Sequence, residues 1–359
     1  MFSINPKELE MRRKRCRSAL DNWGVVSRAP HTCCNICGCR RQIILGKRDR
    51  YDFPVRTALC PSCGLIYLVD RLNPEAYSEF YGSGRYRFLT GQFCGRQSNI
   101  EDIRRDQLNY AASIVDVLES CNGDREHRSL LDVGGSAGVV AATVASRLGW
   151  TATVLDPAVE EIAAAKALGI EGVVGSLETY APGRKFDVIL LCRSIEHLFD
   201  LRSSLLNIRQ LLEPDGLFYC DVIDFVESCR LQGAPEAITK IDHCYWLCHE
   251  TAPRIFEAVG FEIICADVYS RAGIIGYLMR PCEPREAQRT AETTVDGLIR
   301  RLLEIASEWK KCQQHRRGIV DRLRWTAYRA KRKVCLALNR TPAPSCVEDK
   351  IANGKVAAN

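Results

Sequence analysis

The sequence predicts an α/β fold built on a doubly wound, largely parallel sheet, and three observations lead there. From about Ile103 to Arg280, apolar strand-like runs alternate with amphipathic helical runs. One of those runs, "FDVILLC" at 186–192, is almost continuously apolar, as a strand buried on both faces of a parallel sheet must be. Another, "LDVGGSAGVV" at 131–140, passes from apolar residues through glycines and back to apolar residues. That pattern fits a strand, a tight turn and the first turn of a helix.

The elements follow in order. "SLLDVG" reads as a strand and "GVVAATVASRLG" as a helix stopped by Gly149. "TATVLD" is the second strand, "AVEEIAAAKALG" a helix with Gly169 as its stop, and "IEGVVG" a short third strand. After "FDVILLC", the helix "LRSSLLNIRQLL" ends in the turn "EPDG" and leads to the strand "LFYCDVI". "TAPRIFEAVG" is the last helix of the alternation, and "FEIICADVY" with "GIIGYLMR" forms a closing strand pair. Such sheets bind ligands at the carboxyl ends of their strands.

Composition limits what else the chain can be. Its 359 residues are 46% hydrophobic and 26% charged, the make-up of a globular protein with ample core. No uncharged apolar run approaches the ~18 residues of a membrane helix, and the N-terminus lacks the apolar core of a secretory signal. A cytoplasmic protein is therefore expected, and its 19 cysteines are expected to stay reduced or to bind metal. The net charge of +6 is uneven. Thirteen Lys and Arg stand against Glu304, Glu308 and Asp321 between Leu298 and Arg340, an excess of ten that leaves the rest of the chain at −4.

Five regions follow from these patterns. Residues 1–30 are a basic helical lead-in, and residues 31–90 carry paired cysteines and aromatics. Residues 100–283 hold the strand–helix alternation, 284–340 form basic amphipathic helices, and 341–359 are a disordered tail. In the second region, "CNICG" and "CPSCG" place Cys34, Cys37, Cys60 and Cys63 on two knuckles separated by 22 residues. Four thiolates on two short turns suit a tetrahedral structural Zn2+, with Cys33 and Cys39 as rival ligands outside the repeated spacing.

The glycine turn separates two kinds of ligand. A dinucleotide site asks for glycines at 136 and 139 after Gly134, and the sequence supplies Ser136 and Val139. Asp132, Gly134, Gly135, Ser136, Ala137 and Gly138 instead resemble the first motif of class I S-adenosylmethionine-dependent methyltransferases, Asp/Glu-x-Gly-x-Gly-x-Gly, with Ser136 replacing the middle glycine. "FDVILLCRSIEHLFD", "LLNIRQLLEPDGLFYCDV" and "HCYWLCHETAPRIFEAVGFEI" resemble later segments of that family, in the family's order, including its ubiquinone-type and sugar-modifying members. The knuckle running into "CGLIYLVDRLNPEAYSEFYGSGRY" resembles a group that carries four cysteines ahead of such a domain. The resemblance spans residues 31–280.

It implies a seven-stranded Rossmann-like sheet with a small N-terminal zinc knuckle and a C-terminal helical extension. It implies S-adenosylmethionine as cofactor, with Asp132, Gly134, Gly135 and Gly138 at its methionine end and Asp156 on its ribose. Ser176 and Leu177 fall at its adenine, although Ser176 stands where the family has Asp, and Cys192 at the end of the fourth strand completes the set.

For chemistry, Glu196 with His197 and Asp242 with His243 fall at the carboxyl edge of the sheet, where an imidazole can take the acceptor's proton. The bland alternatives are a Glu196 that caps the next helix and histidines that pack. Family members that methylate carbon resemble Tyr-x-Glu-His at the second site. Lys240 stands in place of that tyrosine, so an oxygen or nitrogen of a small molecule or sugar is the expected acceptor. A catalytically idle scaffold and an RNA methyltransferase are the alternatives. Tyr81 and Tyr86 either cover the cofactor or pack. Apolar residues at 295, 298, 299, 302, 306 and 309, then from 319 to 338, predict two helices broken near Gly318. They are expected to pack on the domain or pair in a homodimer, with peripheral contact to anionic lipid as the alternative and nucleic acid disfavoured.

Overall fold

The computed structural model describes residues 6–24, 28–95, 99–120, 127–233, 235–266, 273–285 and 292–315. The basic lead-in is helix α1 (Pro6–Asn22). Five short strands follow: β1 (Arg28–Pro30), β2 (Ile43–Gly46), β3 (Thr57–Leu59), β4 (Ile66–Leu68) and β5 (Asp70–Leu72). The aromatic stretch after them folds into α2 (Pro74–Gly82) and α3 (Arg85–Cys94), which the sequence reading did not resolve. Asn73 caps α2 by accepting the Ala76 amide at 2.8 Å, with Pro74 at the first helical position.

Helix α4 (Ile100–Ser120) leads into the large sheet. The alternation then runs β6 (Ser129–Val133), α5 (Val139–Leu148), β7 (Thr151–Asp156), α6 (Val159–Ala167), β8 (Glu171–Val174), β9 (Phe186–Leu191), α7 (Leu201–Leu211) and β10 (Leu212–Ile223). Helix α8 (Phe225–Gln232), the two-residue β11 (Tyr245–Trp246), α9 (Ala252–Ala258), β12 (Phe261–Ala266), β13 (Ile274–Pro281) and α10 (Glu292–His315) complete it. Seven strands lie in the order β12-β13-β10-β9-β6-β7-β8. The five from β10 to β8 are parallel, and β13 runs antiparallel to both β10 and β12. The "EPDG" turn falls inside β10, where pairing with Phe186 at Leu212 breaks and resumes at Leu217 opposite Val188.

Strand residues alternate between two cores, as a period of two requires. Leu131, Ile189 and Phe218 belong to the core under α7, α9 and α10, whereas Leu130, Val188 and Tyr219 belong to the core under α4, α5 and α6. Helices on both faces make the sheet doubly wound. The four-cysteine segment is knitted into the first core: in the sheet β11-β4-β3-β2, Tyr245 pairs with Tyr67 and Trp246 with Ile66. A strand from between α8 and α9 thus closes the small sheet, and this junction sets the loop before β11 against the carboxyl end of β9.

Helix α10 buries Val295, Leu298, Leu302 and Ile305 and packs against α8. Its seam uses Ile305 where the periodicity picked Ala306. The second basic helix, expected from residue 319, lies outside the described residues.

Candidate active site

The glycine turn joins β6 to α5. Gly134 and Gly138 have φ of +66° and +74°, and a Cβ on Gly134 would lie 2.5 Å from Ser194 Oγ. A Cβ on Gly135 would lie 2.6 Å from Asp132 Cγ, so a side chain there would displace the acid. Asp132 is 1% exposed, and neither of its carboxylate oxygens has a hydrogen-bond partner among the described residues. Burial, with Asp156 and Asp221 nearby, pushes its carboxyl up to about 7. Ser136 adopts φ +52°, a left-handed conformation that explains why glycine is usual there. Its amide donates to Asp156 Oδ2 at 3.0 Å, while Asp156 Oδ1 accepts the Ala158 amide at 2.8 Å. Asp156 therefore braces the turn as well as ending β7.

Several partners of the turn carry no motif. Gln107 on α4 donates to the Gly135 carbonyl at 2.8 Å and accepts the Val139 amide at 3.3 Å. Arg193, at φ +54°, donates its amide and Nε to the buried Asp221 at 2.5 and 2.9 Å. Tyr86 and Arg87 both reach the buried Glu161 carboxylate beside Asp156. A buried glutamine, an arginine after a strand and a glutamate on a helix are common, so the sequence offered no signal for these.

Of the residues expected at adenine, Leu177 is buried with its carbonyl accepting Asn207 Nδ2 at 2.6 Å, and Ser176 stays partly exposed beyond β8. Cys192 is buried at the end of β9, and burial together with Asp132 and Asp221 pushes its thiol well above the ordinary range, so it stays a protonated, weakly nucleophilic thiol.

The two His-bearing segments meet. Glu196 and His197 form one 3-10 turn after β9, and the Cys244 amide donates to the Glu196 carbonyl at 2.8 Å. The His197 and His243 rings lie 4.5 Å apart at 88°. Tyr77 donates to the His197 carbonyl at 2.7 Å. The Tyr81 hydroxyl lies 2.9 Å from the Asp242 carbonyl and 2.5 Å from His197 Nδ1. A carbonyl only accepts, so the Tyr81 proton goes to Asp242 and its oxygen accepts Nδ1–H. His197 Nδ1, 3.3 Å from that same carbonyl, carries the proton on either contact, and Nε2 is left as the lone-pair nitrogen. His243 is 4% exposed, and burial, with Lys240, His197 and Arg50, holds its ring well below the usual range, hence neutral. Glu196 does not cap the next helix. Asp200 does so, accepting the Ser203 amide at 3.0 Å.

The four cysteines also converge. Cys34, Cys37, Cys60 and Cys63 bring their sulfurs within 4.8 Å of one another, with Cys34–Cys63 at 3.4 Å and Cys37–Cys60 at 3.5 Å. Tetrahedral zinc with ~2.3 Å bonds has sulfur–sulfur edges of about 3.8 Å, so the set fits that ion after slight expansion. Gly38 and Gly64, at φ +69° and +79°, close the knuckles by donating to the Cys34 and Cys60 carbonyls. Cys33 and Cys39 stand outside the cluster.

Residues 103–266 match a family described as a methyltransferase domain. Among curated relatives, the ubiquinone biosynthesis O-methyltransferase of Methylobacterium nodulans is 32% identical over 106 residues, 28% of this chain and 42% of the relative. The enzyme of the same name from Rickettsia conorii is 24% identical over 179 residues, 47% of this chain and 61% of the relative. The chain thus spans about half the length of the curated relatives it matches. A solved S-adenosylmethionine-dependent methyltransferase from Clostridium acetobutylicum aligns over 56% of this chain and 99% of its own at 11% identity, with a TM-score of 0.41, too distant to carry an argument.

Proposed function

From a chain that carries a class I S-adenosylmethionine-dependent methyltransferase domain at residues 103–266, we propose an enzyme that methylates an oxygen or nitrogen of a small-molecule or sugar acceptor. One observation carries the reading. The Glu196–His197 and Asp242–His243 segments, 46 residues apart, meet edge to face at the carboxyl end of β9, one strand from the Asp132 cradle.

When bound, S-adenosylmethionine supplies a methyl group on a sulfonium. The chain's own residues do the rest. Asp132 offers a buried carboxyl with two open oxygens to the cationic methionine end, and a glycine-lined turn lets the backbone approach. Asp156 ends β7 where a ribose would lie. Tyr81 holds the His197 ring through Nδ1 and leaves Nε2 as its lone-pair nitrogen, and the two imidazoles position the acceptor and handle its proton. The Cys34, Cys37, Cys60 and Cys63 set holds a structural zinc ion in this reading, with no open ligand position for chemistry.

The test is an acceptor panel assayed with radiolabelled donor on the wild type and on the His197→Ala and His243→Ala variants. Transfer to a small acceptor that falls at least about a hundredfold in either variant supports the reading. Full activity in both variants overturns the role of the histidines, and failure to bind the donor overturns the enzyme.

A further inference from the structure

Three donor groups at this site are arranged beyond what proton transfer requires. Glu196, His197 and His243 each place one ligand atom within 4.8 Å of the other two, and His197 Nε2 lies 4.0 Å from Glu196 Oε1. Glu196 is 4% exposed and its Oε2 is buried with no partner among the described residues. The same holds for both ring nitrogens of His243. Burying an unmatched carboxylate oxygen and an unmatched imidazole costs several kcal/mol unless a third group satisfies them. Local charge points the same way: the Glu196 and Asp242 carboxylates are both buried here, and Lys240 lies 3.5 Å from Asp242.

We propose that Glu196, His197 and His243 bind a divalent transition-metal cation that chelates the acceptor through two neighbouring oxygens. Two imidazoles and one carboxylate are the donor set of zinc, iron and manganese sites that keep positions open for substrate. Tyr81 and the Asp242 carbonyl tie down His197 Nδ1, as an outer-shell partner does for a metal-bound ring, and leave Nε2 to coordinate.

The inference rests on the methyl-transfer reading and narrows the acceptor to a vicinal diol, catechol or α-hydroxy carbonyl compound. A hydroxyl bound to the cation gives up its proton to water more readily. Its oxygen then bonds the methyl carbon as the carbon–sulfur bond breaks, leaving a methyl ether and a neutral thioether. The imidazoles thus act on the proton through the cation.

The full chain, dialysed against chelator and with its residual zinc counted, is titrated with Co2+ and followed by visible absorption. Expected is one equivalent bound beyond the thiolate site, with ligand-field bands and no thiolate charge-transfer band. Glu196→Gln, close to isosteric, should weaken that equivalent by at least about a hundredfold, and Tyr81→Phe, an outer-shell change, by about tenfold. Saturation at the thiolate site alone, or equal affinity in Glu196→Gln protein that still binds S-adenosylmethionine, overturns the site. Calorimetry with S-adenosylmethionine on the same samples judges the methyltransferase reading separately: donor binding without the extra Co2+ removes only the metal.

Discussion

Ser136 holds a left-handed conformation at φ +52° while its amide donates to Asp156 Oδ2 at 3.0 Å. A serine there costs ~1 kcal/mol relative to glycine, and the hydrogen bond helps to hold it. Ser136→Gly is expected to match the wild type or exceed its stability by up to about 1 kcal/mol in chemical denaturation, because relief of strain competes with a more flexible unfolded chain. Ser136→Val, β-branched at positive φ, should cost about 2 kcal/mol. A glycine variant clearly less stable than the wild type would show that the serine side chain contributes something the backbone geometry does not.

Tyr81 comes from α2, and its hydroxyl reaches His197 Nδ1 and the Asp242 carbonyl. Tyr81→Phe keeps the ring packed against Tyr77 and Tyr86 but removes the hydroxyl oxygen that accepts His197 Nδ1–H and fixes the imidazole. Turnover is expected to fall about tenfold or more, with donor affinity changed less than about twofold. Equal losses in turnover and donor affinity would instead mark Tyr81 as part of the cofactor cover.

The buried acids of the cradle give donor binding a pH dependence. Burial raises the carboxyls of Asp132 and Asp156 to about 7 in the unliganded protein. Between about pH 4 and 7 the folded state holds protons that the unfolded chain has lost, so unliganded stability falls as pH rises through that window. A cationic ligand favours the ionised form. Affinity for S-adenosylmethionine should therefore climb by up to about tenfold per unit as pH approaches 7 and level off above it, with a proton released on binding. Calorimetry in buffers of different ionisation enthalpy measures that proton. Pairing Asp132→Asn with the wild type assigns it, because the asparagine variant should lose most of the slope.

What the sequence made legible was local. The Gly134–Gly138 turn, the apolar β9, the closing pair β12–β13 and the cysteine quartet each occupy a short stretch whose chemistry is written in its own residues. What stayed hidden was made by partners far apart in the chain. The approach of His243 to His197 depends on the Cys244 amide, on Tyr77 and Tyr81 from more than 100 residues upstream, and on Tyr245 pairing with Tyr67. No periodicity marks a two-residue strand, and "FYGSGRY" shows aromatics without showing which hydroxyl finds an imidazole. Gln107 was invisible for the same reason: it sits on a helix with the spacing of any core residue and acts only through the turn it faces.

The cysteine cluster sits close enough to this junction that metal removal should be felt at the site. Asn35, between Cys34 and Cys37, donates to Asp200 Oδ1 at 3.0 Å and accepts the Arg202 amide at 2.8 Å, while Arg202 donates to the Ile36 carbonyl at 3.0 Å. The knuckle thus clamps the start of α7, four residues after His197, and β4, which begins three residues after Cys63, carries the β11 pairing that anchors the His243 loop. Cys60→Ser is expected to cost several kcal/mol if zinc is bound there, since binding free energy is then folding free energy. In the surviving folded fraction, turnover should fall while donor affinity changes little, because Asp132, between Leu131 and Val133 on β6, faces the side of the sheet opposite α7. Thermal denaturation with metal counting, run beside donor calorimetry, separates the two. Unchanged stability in Cys60→Ser would mean that the four sulfurs hold no ion, and loss of donor binding in parallel with turnover would mean that the knuckle supports the whole sheet and not the histidine junction alone.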